Sequence, residues 1–167
     1  MFRAMRRNRQ QLPEEACFAI LRRGTAGVLA LAGEDGYPYA VPMSYVCDGE
    51  KLYFHCAKVG HKLDAIRRDP RASFCVIDED RIVPEEYTTY FRSVIAFGRM
   101  RMLEEEGEKR AAIDLLARKY APEASDESRT RAIEREWTPL CMLEMTIEHL
   151  SGKEAIELVR AREGKGS

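Results

Sequence analysis

The dipeptide Asp48-Gly49 constrains the fold of this chain more than any other feature. It stands between two apolar runs, residues 39–47 and 51–56, and both of its residue types accept the positive φ that tight hairpin turns require. An antiparallel pair is therefore expected there. Four more runs read as strands: Ala26–Ala32, ended by Glu34-Asp35-Gly36, and residues 72–77, 93–103 and 140–147. The run 93–103 is long enough to need a bend, and Gly98 is the place for it. Six mostly antiparallel strands predict a mainly β protein, curled into a small closed or half-open barrel.

Helices are few and peripheral. Pro13-Glu14-Glu15 opens the first and Arg22-Arg23-Gly24 closes it, with Cys17, Ile20 and Leu21 as its apolar stripe. Residues 62–68 form a short amphipathic helix that Asp69-Pro70 ends. Residues 105–120 form another, with Ile113, Leu116 and Tyr120 on one face and Ala121-Pro122 as its stop. Residues 125–135 read as a polar, exposed helix. A chain of 167 residues suits one well-buried domain. That domain is assigned to residues 1–155, with 156–167 as a C-terminal extension and 164–167 as a disordered tail.

Composition removes several functions. With 27 basic and 28 acidic side chains, the chain lacks the basic excess of a nucleic-acid binder. Its one lopsided stretch holds Arg3, Arg6, Arg7 and Arg9, which suits a solvated arm, an anionic ligand or a partner subunit. No run reaches the roughly 20 apolar residues of a membrane span, and the start lacks an apolar signal core. The five cysteines (Cys17, Cys47, Cys56, Cys75 and Cys141) are widely spread without a C-x-x-C pair. They imply neither a zinc site nor a disulfide framework, and a reducing cytoplasm is the simplest setting.

Segment 52–69, LYFHCAKVGHKLDAIRRD, carries the strongest chemical signal. An apolar strand ends at His55, a short loop closes at Gly60, and Lys62 lies at the start of a helix. Free backbone N–H groups, the positive end of a helix dipole and an ammonium would meet there, as a phosphate requires. His61 reads as a neutral hydrogen-bond donor at the helix start. Neither His55 nor His61 has further ligands at metal spacing, so no metal site is expected. His149 reads as structural. Arg92-Ser93, placed just before a strand, offers a guanidinium and a hydroxyl suited to phosphate, or an ordinary loop edge. Pro42 cannot donate to a sheet ladder, so the run around it is either an edge strand or a gap against which a flat ring lies. Nucleophile elbows and glycine-rich phosphate loops are absent, so an enzyme here would take its chemistry from a cofactor.

Taken in order, several pieces resemble one family, the pyridoxamine 5′-phosphate oxidase-like FMN-binding split barrels, nitroimidazole-resistance (Nim) type. They are Met5-Arg6-Arg7, the run from Tyr39 to Tyr45, Leu52-Tyr53-Phe54-His55, Gly60-His61-Lys62-Leu63-Asp64, the run from Tyr90 to Gly98, and Ser151-Gly152-Lys153-Glu154. The resemblance covers about residues 4–155. It implies a homodimer with FMN in clefts between subunits, Val41, Pro42, Met43 and Ser44 along the isoalloxazine ring, and His55 and Cys56 near the flavin. It sets His61, Lys62 and Ser93 toward the phosphate or ribityl side, with Arg92 beside them and His55 as the candidate catalytic residue. Pyridoxamine phosphate oxidases proper carry Ser-Arg-Lys where this chain has Gly60-His61-Lys62, and their C-terminal arginine and histidine pair is absent, so vitamin B6 oxidation is not expected.

The function expected is reduction of a small organic acceptor, such as a nitroaromatic or quinone, by NAD(P)H through FMN. Two alternatives stay open: a flavin-binding or flavin-storing module without turnover, and a split barrel using haem or a deazaflavin.

Overall fold

A computed structural model describes residues 2–164. Seven strands form one antiparallel sheet: β1 (Ala26–Ala32), β2 (Pro38–Ser44), β3 (Val46–Asp48), β4 (Lys51–Ala57), β5 (Arg71–Val83), β6 (Thr88–Met102) and β7 (Leu140–Glu154). Their order is β2-β1-β5-β6-β7-β4-β3. Five α-helices accompany them among the described residues: α1 (Glu14–Arg23), α2 (His61–Arg68), α3 (Glu106–Tyr120), α4 (Asp126–Glu136) and α5 (Ile156–Glu163). The mainly β split barrel expected from the sequence is thus present, with seven strands instead of six.

The additional strand arises at Tyr45. Residues 39–47 read as one strand, but β2 pairs with β1 while β3 pairs with β4, so one stretch of chain supplies both edges of the sheet. The sheet curls round on itself without closing by hydrogen bonds. Tyr45 breaks the run because its polar groups are used elsewhere. Its hydroxyl donates to the Leu21 carbonyl (2.7 Å), and its N–H donates to the Tyr120 hydroxyl (3.0 Å). The hairpin that follows turns on Gly49 and Glu50, one residue later than Asp48-Gly49, with Gly49 at φ +57°.

Three strands run well beyond their expected stretches, β7 continuing past residue 147 to Glu154. β5 continues through Asp78, Glu79 and Asp80, whose charges hid it, and β6 begins at Thr88. A bulge between Ile77 and Glu79 takes Asp78 out of the ladder. Its carboxylate accepts from Arg23 (2.7 and 2.6 Å) and Arg92 (3.2 Å). The expected bend at Gly98 is a register shift between Phe97 and Gly98, where a Cβ would stand 2.0 Å from the Thr146 carbonyl oxygen. Residues 156–163, read as an extension, form α5, which buries Val159 and pairs Glu163 with Arg9 of the N-terminal arm (3.3 Å). Residues 165–167 of the expected disordered tail lie outside the described residues.

Two cores result. Inside the barrel, Leu29, Phe54, Phe74, Val76, Val94, Leu143 and Met145 are fully buried around the edge-on rings of Phe54, Phe74 and Tyr45. On the opposite face, α3 covers β4 and β7 through Leu103, Ala112, Leu140 and Met142, with Tyr53, Ile113 and Trp137 at the margin.

Two carboxylates are buried on β7, Glu144 and Glu154. Glu144 accepts hydrogen bonds from Arg101 (2.8 Å) and Lys51 (3.0 Å). Burial pushes its carboxyl up, but the two cations outweigh that and hold it below the usual carboxylate range. A carboxyl depressed on folding stabilises fully above its unfolded pKa, and that contribution is lost as pH falls. Glu144→Gln is expected to cost about 1.5–3 kcal/mol at neutral pH, the worth of charged hydrogen bonds. It is also expected to blunt the acid arm of the stability profile. A variant with unchanged acid sensitivity in urea melts would contradict this assignment.

Candidate functional site

The site forms where β4 hands over to α2. β4 ends at Ala57, and the backbone reverses through Gly60 at φ +136°. A Cβ on Gly60 would meet nothing within 4 Å, so glycine is needed there for conformation and not for space. Gly60 is the N-cap of α2, and no side chain caps the helix. Its carbonyl accepts from the N–H groups of Leu63 (3.0 Å) and Asp64 (3.3 Å). The His61 and Lys62 amides, in the first turn, have no intrahelical acceptor. They face outward from the positive end of the helix.

β2 lies beside this helix start. The His61 ring rests on the Tyr39 ring at 4.1 Å. Tyr39, Val41 and Met43 turn toward the core, whereas Ala40, Pro42 and Ser44 are exposed. Pro42 pairs with Val28 on one side, and on the other side β2 is a free edge, so the edge-strand alternative for Pro42 holds. Cys56 is half-buried beside the barrel core. Burial and the neighbouring Cys141 push its thiol up to about 12, with Lys62 close enough to oppose them. It is a neutral thiol at physiological pH.

His55 and Cys56 are successive in a strand and point to opposite faces. His55 is exposed and forms part of the wall of three cavities. One, about 260 Å³, lies between Ser44 and α3 residues Ile113, Ala117 and Tyr120. A second, about 360 Å³, runs between α3 and α4 and is lined by Ala117, Ala121, Ala124, Ala132 and Ile133. The third, about 480 Å³, lies over Cys56 and Pro139. The sequence reading missed the α3–α4 lining. Its available signal was alanine at 117 and 121, and again at 124 and 132, which leaves room between two helices.

Arg92 and Ser93 are corrected. They do not precede a strand but lie within β6, where Ser93 pairs with Ile77 and Lys153. The Arg92 guanidinium is held by Asp78 (3.2 Å), Glu79 (3.6 Å) and Glu154 (3.2 Å), so its charge is already compensated. Ser93 also stands at the far end of the ladder. The Met102↔Leu143 pair lies at the α2 end and Ser93↔Lys153 at the other, about 30 Å away along the strands. One copy of the chain therefore brings together β2, His55, Cys56, His61 and Lys62 and leaves Arg92 and Ser93 apart. His149 stacks on Phe2 (4.5 Å) in a packing role. Among the described residues no helix is long and apolar enough to cross a membrane, and no cluster of three or more His, Cys, Asp or Glu side chains is placed to hold a metal.

Fold and site together define a split-barrel protein with an uncapped helix start beside an open strand edge. Residues 13–154 match the model of the pyridoxamine 5′-phosphate oxidase family, and the chain belongs to that family. Solved structures share the fold. A conserved hypothetical protein, Rv2991, from Mycobacterium tuberculosis superposes with TM-score 0.78 at 19% identity over 90% of each chain. A candidate 5-nitroimidazole antibiotic resistance protein from Bacteroides thetaiotaomicron does so with TM-score 0.70 at 20% identity over 86% of each. An FAD-binding protein (mll6688) from Mesorhizobium loti is 26% identical over 87% of this chain and 97% of its own, with TM-score 0.66. No curated protein matches the chain.

Proposed function

We propose that this protein is an FMN-dependent oxidoreductase that reduces a small planar acceptor, of nitroaromatic or quinone type, at the expense of NAD(P)H. The observation that carries this reading is the uncapped start of α2, with Lys62 beside it, against the free edge of β2. A phosphate monoester fits that cradle through the His61 and Lys62 amides and the Lys62 ammonium. The exposed backbone of Val41, Pro42, Met43 and Ser44 offers a flat ring its surface. When bound, the flavin supplies the electron transfer. His55 stands where an acceptor in the α3–α4 cavity would be oriented by a ring N–H, and the alanine walls keep that cavity apolar. Cys56, as a neutral thiol, packs beside the flavin site and takes no part in reduction of the acceptor.

The second copy of a homodimer completes the reading. Ser93 shares its face of β6 with Ile95 and Phe97, next to the exposed Ile77 and Val28. An apolar strand face of this kind suits a symmetric interface that brings a second Ser93 toward the first copy's α2. The five free thiols suit a reducing cytoplasm. A second reading, FAD in place of FMN, has its own support. Lys58, Arg67, Lys109 and Trp137 line a cavity of about 580 Å³ next to the α2 loop, room for a further phosphate and a stacked base. The Mesorhizobium loti relative binds FAD.

The absorption spectrum of purified or FMN-reconstituted protein tests the proposal. Oxidised-flavin bands, release of FMN on heating, and NAD(P)H oxidation that depends on a nitroaromatic or quinone are expected. Release of FAD selects the second reading. Bound flavin without turnover identifies a storage module, and a Soret band identifies haem. Absence of binding to either flavin overturns the proposal.

A further inference from the structure

β4 and β7 are paired without interruption from Lys51↔Thr146 to Ala57↔Leu140, and in that ladder Cys56 stands directly opposite Cys141. Directly opposed residues of an antiparallel pair project from the same face, with Cα atoms about 4.5 or 5.5 Å apart. Either spacing lies within the roughly 4.4–6.8 Å that a disulfide spans. Side-chain rotation alone can therefore join the two sulfurs. Both thiols are partly exposed. Cys56 borders the cavity beside His55 and Pro139, and Cys141 borders the one beside Lys58 and Lys109. No other strand cysteine has this arrangement. Cys75 is opposed by Val28 and Ile95, and Cys47 by Leu52.

We propose that Cys56 and Cys141 are a redox-active dithiol that hydrogen peroxide or a small organic hydroperoxide converts reversibly into a cross-strand disulfide. One sulfur attacks a peroxide oxygen and the O–O bond breaks, giving a sulfenic acid and one water (or alcohol). The second thiol then attacks the sulfenic sulfur, the S–O bond breaks, and the oxygen leaves as a second water carrying the remaining proton. Two thiols lose two electrons, and one peroxide gains them. The bond ties the end of β4 to the start of β7, next to Lys62.

The inference does not depend on flavin binding. Full-length protein, with or without flavin, is treated with a small excess of hydrogen peroxide, alkylated and digested without reductant. The expected result is loss of two thiols per chain and a linked peptide joining Cys56 to Cys141, lighter by two hydrogens and released by dithiothreitol. Cys56→Ser and Cys141→Ser, assayed side by side, are each expected to abolish the linked peptide while leaving circular dichroism unchanged. Accumulation of sulfinic acid at either position without a link would overturn the proposal. So would linkage to Cys47 or Cys75 instead, or survival of both thiols under peroxide that consumes free cysteine.

Discussion

Phe74→Ala is expected to lose about 3–5 kcal/mol of folding stability, the usual cost of removing a buried phenyl ring. That is a large share of the roughly 5–15 kcal/mol by which a domain is stable. Phe74 is fully buried and meets Tyr45 edge-on at 4.8 Å and Phe54 at 5.0 Å. Its ring also fills the space over Gly27, where a Cβ would come within 2.6 Å of it. Glycine has nothing to move into the hole, so the cavity stays and the full cost is felt. Chemical denaturation of the variant reads the change directly, and a shift below about 1 kcal/mol would show that the trio does not hold the barrel together. Phe74→Leu, which keeps most of the volume, should fall between the two.

Lys62→Ala is the corresponding prediction for the site. FMN carries nearly two negative charges on its phosphate at neutral pH, and a charge taken partly out of water needs a fixed counter-charge. The half-buried Lys62 supplies one beside the open N–H groups of α2. Charged hydrogen bonds contribute about 1.5–3 kcal/mol, so removal of the ammonium is expected to weaken FMN by about tenfold to a hundredfold. Riboflavin, with no phosphate, should bind the variant and the parent alike. His55→Ala provides the contrast, since its ring faces the α3–α4 cavity: turnover should fall more than FMN affinity. Flavin fluorescence titrations of both variants separate these outcomes. Equal FMN affinity in Lys62→Ala and the parent would move the phosphate elsewhere.

What the sequence revealed and what it hid have identifiable physical causes. Apolar runs bounded by turn residues placed β1 and β4 within a residue, because a half-buried strand writes its pattern into its own side chains. The start of α2 was legible for the same local reason: Gly60, His61 and Lys62 sit side by side in the chain. The division at Tyr45 was not, because it depends on Leu21 and Tyr120, which reach it only through the tertiary fold. Charged β-structure was equally hidden. Asp78 and Arg92 look like loop residues until the bulge in β5 sets them against each other. Opposition of Cys56 and Cys141 was invisible too, since strand register is set by the whole sheet and leaves no trace in spacing along the chain.

The place of β7 in the strand order has a consequence for how the molecule is made. β1 with β2, β3 with β4, and β5 with β6 are neighbours in the chain, and each pair can form soon after its residues are synthesised. β7 alone bridges β6 to β4. Until residues 140–154 leave the ribosome, β4 and β6 each carry an unpaired side, and the apolar interior has no wall between them. Nascent chains of this protein can therefore join β2-β1-β5-β6 through the β1–β5 pair while the β3–β4 hairpin awaits one late strand, and this is the interval in which a chaperone would find the most to bind.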